Sequence, residues 1–270
     1  MRAAPDRLSR IAGSPKACLF CGRIGQKLTA EHVYPRWLRR AINIQGDITF
    51  QSDKRQFRSM PELDIKVREV CAECNNGWLH DLERAFRAVM IGPINGFGPL
   101  PMPEPVRLVV SVWAVKTWLL IERSLGYMRG EQPVYVRPEV FRWLREKSEP
   151  PPTVQIWIGA IDPRTAQASR MISFVATQWV GVEDPPAGIA GVFSIGSVLF
   201  FVYAPVGDPR KPGPSFRLGI GGNTALFLRQ IWPYQPGEVI WPPPAIFAAM
   251  DLPKIWPSQH RIPAVKEAAE

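Results

Sequence analysis

The sequence predicts an α+β protein in which a small cysteine-bearing module precedes a larger domain with an apolar helix and an antiparallel sheet. All four cysteines of the 270-residue chain lie in two CxxC pairs within its first third. A segment dense in Pro and Gly, IGPINGFGPLPMPEP, follows at residues 91–105 and predicts a linker, because such a composition interrupts helices and strands. We therefore expect two units, residues 1–90 and residues 106–270.

The cysteine pairs predict a zinc site. They occur in ACLFCGRIGQKLTAEHVYPRWL, residues 17–38, and in VCAECNNGWLHDLE, residues 70–83. Thioredoxin-like redox motifs contain a single CxxC, whereas two CxxC turns supply the four thiolates of a tetrahedral zinc ion. Four thiolates leave the ion no open position, so the zinc is expected to be structural. The predicted ligands are Cys18, Cys21, Cys71 and Cys74.

The charge distribution favours an acidic partner. The formal net charge is +9, and residues 1–90 carry 16 Lys and Arg against 10 Asp and Glu, an excess of 6. Such a balance is typical of proteins that bind nucleic acid or an anionic surface, although a solvated basic surface has the same composition. The first residues, MRAAPDRLSRIAGSPKA, have no apolar core of a secretion signal, which predicts a cytoplasmic protein.

The larger domain is predicted from changes in periodicity. An apolar helix is expected from Val106 to about Leu125, and its interruption by Lys116 favours a buried helix over a membrane span. A shorter helix follows in RPEVFRWLREKS, where Pro138 suits a first helical turn. An antiparallel meander is predicted from the runs TVQIWIGAI, RMISFVATQWV, GVFSIGSVLFFVYAPV and ALFLRQIWP.

The N-terminal motifs resemble those of the HNH nuclease superfamily. The matching features are a CxxC pair, the dipeptide Glu31-His32 with Pro35 three residues after the histidine, and a second CxxC followed at once by Asn75. The family more often has Asp at the position of Glu31. The resemblance covers roughly residues 17–84 and implies the ββα-metal, treble-clef fold of that superfamily, with the acidic-His dipeptide at the end of the first strand.

The resemblance also implies an activity, a metal-dependent endonuclease with nucleic acid, expected to be DNA, as its substrate. His32 then matches the general base, and Glu31 and Asn75 match the ligands of a single catalytic Mg²⁺ or Mn²⁺. A neutral imidazole can accept a proton from water near neutral pH, and hard divalent ions prefer carboxylate and amide oxygens. The expected products carry 5′-phosphate and 3′-hydroxyl ends.

Three further features stay open at the level of sequence. Asn76 is an alternative to Asn75 as the ligand, and His80 is either a third ligand, a phosphate contact or a solvated residue of the helix. Arginines in YPRWLRRAI either contact the phosphate backbone or form a solvated helix face; they are Arg36, Arg39 and Arg40. The alternative function is a catalytically inactive, zinc-stabilised module that binds nucleic acid or protein.

Overall fold

The computed structural model describes most of the chain between residues 17 and 248 and a short strand near its end. The described ranges are 17–42, 47–52, 55–61, 65–129, 138–165, 174–180, 188–205, 208–210, 216–217, 224–248 and 265–266. The helices are α1 (Arg36–Ala41), α2 (Ala72–Cys74), a π-helical segment (Asn75–Leu79), α3 (His80–Ile94), α4 (Glu104–Arg129), α5 (Pro138–Lys147) and α6 (Thr224–Phe227). The strands are β1 (Leu28–His32), β2 (Asp47–Ser52), β3 (Arg55–Pro61), β4 (Lys66–Cys71), β5 (Leu100–Pro101), β6 (Gln155–Ala160), β7 (Phe174–Val180), β8 (Gly188–Ile195), β9 (Val198–Pro205), β10 (Phe216–Arg217), β11 (Leu228–Trp232), β12 (Ile240–Trp241) and β13 (Val265–Lys266).

The N-terminal part is a strand pair followed by a helical run. β1 pairs with β4 in antiparallel orientation, with Leu28 opposite Cys71 and His32 opposite Lys66. Directly after β4, the chain enters α2 and continues through the π-helical segment into α3 without leaving helical geometry. Two strands and one long helical run are therefore joined through the cysteine pair of residues 71 and 74.

The larger part is built on a five-stranded antiparallel sheet in the order β11-β6-β9-β8-β7. The predicted antiparallel sheet is thus confirmed, but its order is not a simple meander. Strands β7, β8 and β9 pair in the order in which they occur in the chain. β6 pairs with the free edge of β9, and β11 pairs with the other edge of β6. All residues of β6 and β8 are buried, which explains their nearly continuous apolar sequences.

Helix α4 lies between the N-terminal part and the sheet. All residues from Val110 to Ile121 are buried, including Lys116. A Cβ atom at Gly191 of β8 would lie 2.4 Å from Nε1 of Trp118, so the absence of a side chain at Gly191 allows the helix to approach the sheet closely. Among the described residues, no helix combines the length and apolar character needed to cross a membrane.

One buried core extends across the predicted boundary at residues 91–105. Trp113 of α4 stacks on Phe86 of α3 with ring centroids 3.7 Å apart, and it also contacts Phe200 of β9 at 6.1 Å. Phe141 of α5 packs edge-to-face on Phe20, with ring centroids 5.4 Å apart. Both α4 and α5 therefore pack on the N-terminal part.

The interval from 91 to 105 is itself bonded to the rest of the chain. Helix α3 continues to Ile94, β5 pairs with β12, and the backbone N–H of Met102 donates to the carbonyl of Val239 at 2.8 Å. Whether residues 1–90 and 106–270 unfold separately stays a prediction.

We predict that Phe86→Ala lowers the free energy of unfolding of the whole chain by roughly 3 to 5 kcal/mol, because it removes a buried ring that joins α3 to α4. Denaturant unfolding followed by far-UV circular dichroism and tryptophan fluorescence should give one transition, shifted equally for both signals. Phe97→Ala is the matched control, since Phe97 is 73% exposed and its loss should change little. Two separated transitions, of which Phe86→Ala moves only one, would support independent units instead.

Candidate functional site

The four cysteine sulfurs lie close enough to hold one metal ion. Their Sγ atoms are all within 4.8 Å of one another, and the Sγ atoms of Cys21 and Cys71 are 3.7 Å apart. Zinc–sulfur bonds of about 2.3 Å in a tetrahedron place the sulfurs about 3.8 Å apart. The donor set and the spacing fit Zn²⁺, which confirms that the two CxxC pairs converge on one possible metal site.

Local backbone geometry positions the first pair. The backbone N–H of Gly22 donates to the carbonyl of Cys18 at 2.9 Å, and the N–H of Cys18 donates to the carbonyl of Arg23 at 3.0 Å. Gly22 has a φ of +70°, a conformation that glycine adopts without the steric cost of a Cβ atom. The tight turn that results points the sulfurs of Cys18 and Cys21 to the same side.

The second pair is positioned by the end of β4 and the start of the helical run. The backbone N–H of Cys71 donates to Sγ of Cys18 at 3.3 Å, a bond that stabilises thiolate sulfur in cysteine-rich metal sites. Burial raises the pKa of the Cys74 thiol, and the neighbouring Cys18 raises it further. A bound cation offsets these costs, because cysteines bind metals as thiolates and metal binding releases their protons.

The end of β1 carries the predicted Glu31-His32 pair. Adjacent residues of a strand point to opposite faces, and the two side chains accordingly have different surroundings. Glu31 is 4% exposed and turned towards α4. His32 is half-buried, and its Nε2 atom has no contact with solvent.

Asn75 connects the helical run to β1. Its Nδ2 atom donates to Oγ1 of Thr29 at 2.9 Å and to the carbonyl of Ala30 at 3.3 Å. These bonds hold the helix beside the strand that ends in His32. Asn75 also begins the π-helical segment, a geometry that is frequent at functional sites.

Glu31 forms part of a buried group of three charged side chains, which we call the Lys116 triad. The Nζ atom of Lys116 lies 3.1 Å from Oε1 of Glu83 and 3.6 Å from Oε1 of Glu31. The Lys116 side chain is 0% exposed, and the side chains of Glu31 and Glu83 are 6% and 21% exposed. The triad joins β1, α3 and α4, because each element contributes one of its members.

The triad perturbs the acidity of Glu31. Burial raises the pKa of the Glu31 carboxyl; Lys116 opposes this and Glu83 adds to it, with the result that the pKa of Glu31 rises to about 7. Desolvation disfavours the charged form of a carboxyl, and a second carboxylate nearby disfavours it further. Glu31 is therefore protonated more easily than an exposed carboxyl, although it still faces the Lys116 ammonium as a carboxylate above pH 7.

This arrangement does not fit Glu31 as the ligand of a divalent ion. A ligand bond to Mg²⁺ is about 2 Å long, so an ion on Oε1 of Glu31 would lie within roughly 6 Å of the Lys116 ammonium. At an effective dielectric constant of about 20, the repulsion between a double and a single positive charge at that distance is on the order of 5 kcal/mol. The predicted catalytic Mg²⁺ or Mn²⁺ has no support in these contacts.

The remaining predicted residues lie on helices near this region. In α1, Arg36 and Arg40 are exposed and Arg39 is half-buried. Asn76 lies in the π-helical segment and His80 begins α3, and both side chains are exposed. Their roles as ligands or phosphate contacts stay predictions.

Sequence reasoning missed the Lys116 triad. Lys116 is recognisable in the sequence as a charge within an apolar helix, and a buried lysine requires a charged or polar partner. The identity of the partners was not predictable, because Glu31 and Lys116 are 85 positions apart and meet only through the packing of α4 on the N-terminal part.

A scan of protein-family models finds none that matches this chain, and searches of curated proteins and of solved structures find no match.

We predict that Glu31→Gln changes how stability depends on pH. Because the folded pKa of Glu31 is about 7 against an ordinary value of 4.5, its protonation stabilises the fold at low pH, and this contribution is lost as the pH rises through 7. From about pH 5.5 to about pH 8, the unfolding free energy of the wild type should fall by about 2 kcal/mol relative to Glu31→Gln.

Denaturant titrations of zinc-loaded protein at several pH values measure this difference. The control is Glu104→Gln, which removes an exposed carboxyl and should follow the wild type at every pH. Parallel pH curves for wild type and Glu31→Gln would show that the carboxyl of Glu31 has an ordinary pKa.

Proposed function

We propose that the chain hydrolyses nucleic-acid phosphodiester bonds at the end of β1, with DNA as the expected substrate and His32 as the proton acceptor. The observation that carries the proposal is the pair of hydrogen bonds from Asn75 to Thr29 and Ala30. They join the helix that follows the second CxxC pair to the strand that ends in His32. The resemblance to the treble-clef nucleases of the HNH superfamily predicts this juxtaposition.

The proposed reaction uses the imidazole of His32 as a general base. A water molecule gives a proton to the ring while its oxygen attacks phosphorus, the bond from phosphorus to the 3′ oxygen breaks, and that oxygen is protonated from solvent. Zinc on the four cysteines would hold the strand and helix in place and has no role in the chemical step.

Binding of the phosphate backbone is assigned to the basic residues near β1. Arg36 and Arg40 are exposed one helical turn apart on α1 and can contact successive phosphates. The guanidinium of Arg87 on α3 lies 5.6 Å from the ring centroid of Trp37, a cation–π contact that holds a further positive charge beside α1. A surface formed by these three arginines would bind the phosphate backbone and would not distinguish base sequences.

A zinc-stabilised binding module without catalysis is the second candidate. The Lys116 triad favours it, because Glu31 has an internal ion pair and the nitrogen of the Asn75 amide bonds to β1. In this alternative, both residues hold the module together, and the arginines of α1 are the functional groups. The two candidates differ in whether His32 affects bond cleavage or has no effect beyond structure.

We predict that His32→Ala lowers the cleavage rate by roughly 10²- to 10⁴-fold, the usual contribution of a general base. Purified zinc-loaded protein would be incubated with supercoiled plasmid, single-stranded DNA and RNA, with Mg²⁺, with Mn²⁺ and without added divalent ions. Zinc content, circular dichroism and DNA affinity should be unchanged, because backbone binding comes from Lys and Arg.

His260→Ala serves as the control that removes a histidine distant in sequence. Equal cleavage by wild type and His32→Ala under every condition would assign the activity to another part of the chain or to a contaminant. DNA binding without cleavage by the wild type would select the binding module.

A further inference from the structure

The Lys116 triad places a positive charge beside Glu31, one of the two residues that the resemblance to HNH nucleases makes ligands of a metal ion. Two carboxylates, from β1 and α3, point at one atom, Nζ of Lys116, at 3.6 and 3.1 Å. Two carboxylates around one cation are typical of a divalent-ion site. In this chain, the cation is the side chain of a residue from α4, which belongs to the larger part of the protein.

The Lys116 ammonium is deeply buried, which makes its place between the two carboxylates a stable feature of the fold. The Lys116 side chain is 0% exposed, and its Nζ atom lies 5.7 Å from the ring centroid of Trp113. A lysine charge without water is retained only beside opposite charges. Within the described ranges, the carboxylates at ion-pair distance from it are those of Glu31 and Glu83. A metal ion bound to these carboxylates would leave the Lys116 ammonium buried and unpaired. The cost of that unpaired charge opposes metal binding at Glu31.

We propose that Lys116 occupies the cation position of this site, so that Glu31 binds an internal ammonium in place of a divalent metal ion. Lys116 is then a positioning residue: it fixes Glu31, and through the strand backbone it fixes the adjacent His32. As a statement about catalysis, this inference rests on the proposed function, and it adds that cleavage needs no divalent ion at Glu31. As a statement about metal binding, it stands apart from any activity.

The test is Mn²⁺ binding by zinc-loaded, full-length protein, measured by the loss of the free-ion signal in electron paramagnetic resonance. Wild type should bind no Mn²⁺ that depends on Glu31, so wild type and Glu31→Gln should give the same titration. Lys116→Met keeps the length of the side chain and removes its charge, which leaves two carboxylates facing one another. This variant should gain one Mn²⁺ per chain, and the double variant Lys116→Met/Glu31→Gln should lose it again.

Two results would overturn the inference. One is an Mn²⁺ ion bound by the wild type and lost in Glu31→Gln; the other is a folded Lys116→Met variant that binds no more Mn²⁺ than the wild type. If Lys116→Met fails to fold, the comparison of wild type with Glu31→Gln decides alone. An ion that is retained in Glu31→Gln is not held by Glu31 and leaves the inference standing.

Activity measurements separate this inference from the proposed function. Cleavage that persists after Mg²⁺ and Mn²⁺ are removed, with zinc retained, supports both. Cleavage that requires an ion bound through Glu31 supports the function and overturns the inference. If no condition gives cleavage, the proposed function fails. The Mn²⁺ titrations still test whether Lys116 occupies the cation position beside Glu31.

Discussion

The convergence of four cysteine sulfurs on one point is the constraint on which the rest of the site depends. Their Sγ atoms lie within 4.8 Å of one another, although the two pairs are 50 positions apart in sequence. A metal ion in this cluster joins the turn before β1 to the start of the helical run after β4. The hydrogen bonds from Asn75 to β1 then align the strand with the helix, and His32 takes its place at the strand end.

Helix α4 makes this small module part of a larger structure. Its Trp113 stacks on Phe86, and its Arg123 donates two hydrogen bonds to Glu69 of β4, at 2.6 and 2.9 Å. The carbonyl of Glu69 accepts a hydrogen bond from the N–H of Leu19, between the first two cysteines. Lys116 adds the buried contact to Glu31. The C-terminal part therefore acts on the site directly, through one helix that packs against both β1 and β4.

The sequence was sufficient to predict the features that depend on local pattern. Two CxxC pairs predicted the cysteine cluster, and alternating β-branched runs predicted the antiparallel sheet, because both follow from spacing along the chain. The position of β6 between β9 and β11 was not predictable, since strand order depends on which hydrophobic faces meet. The Lys116 triad was not predictable for a related reason: a carboxylate and an ammonium that are 85 positions apart share no sequence signal. The roles of His32, Glu31 and Asn75 in catalysis stay predictions.

Removal and return of zinc tests the central claim most directly, because the account makes the metal a condition of the module's structure. Zinc would be removed with a strong chelator and titrated back, with metal content and near-UV circular dichroism recorded at each step. We predict one zinc per chain, with loss of the aromatic signal from the packed Phe20 and Trp78 rings on removal and its recovery at one equivalent. A chain that is folded, soluble and free of zinc, with its near-UV spectrum intact, would contradict the account.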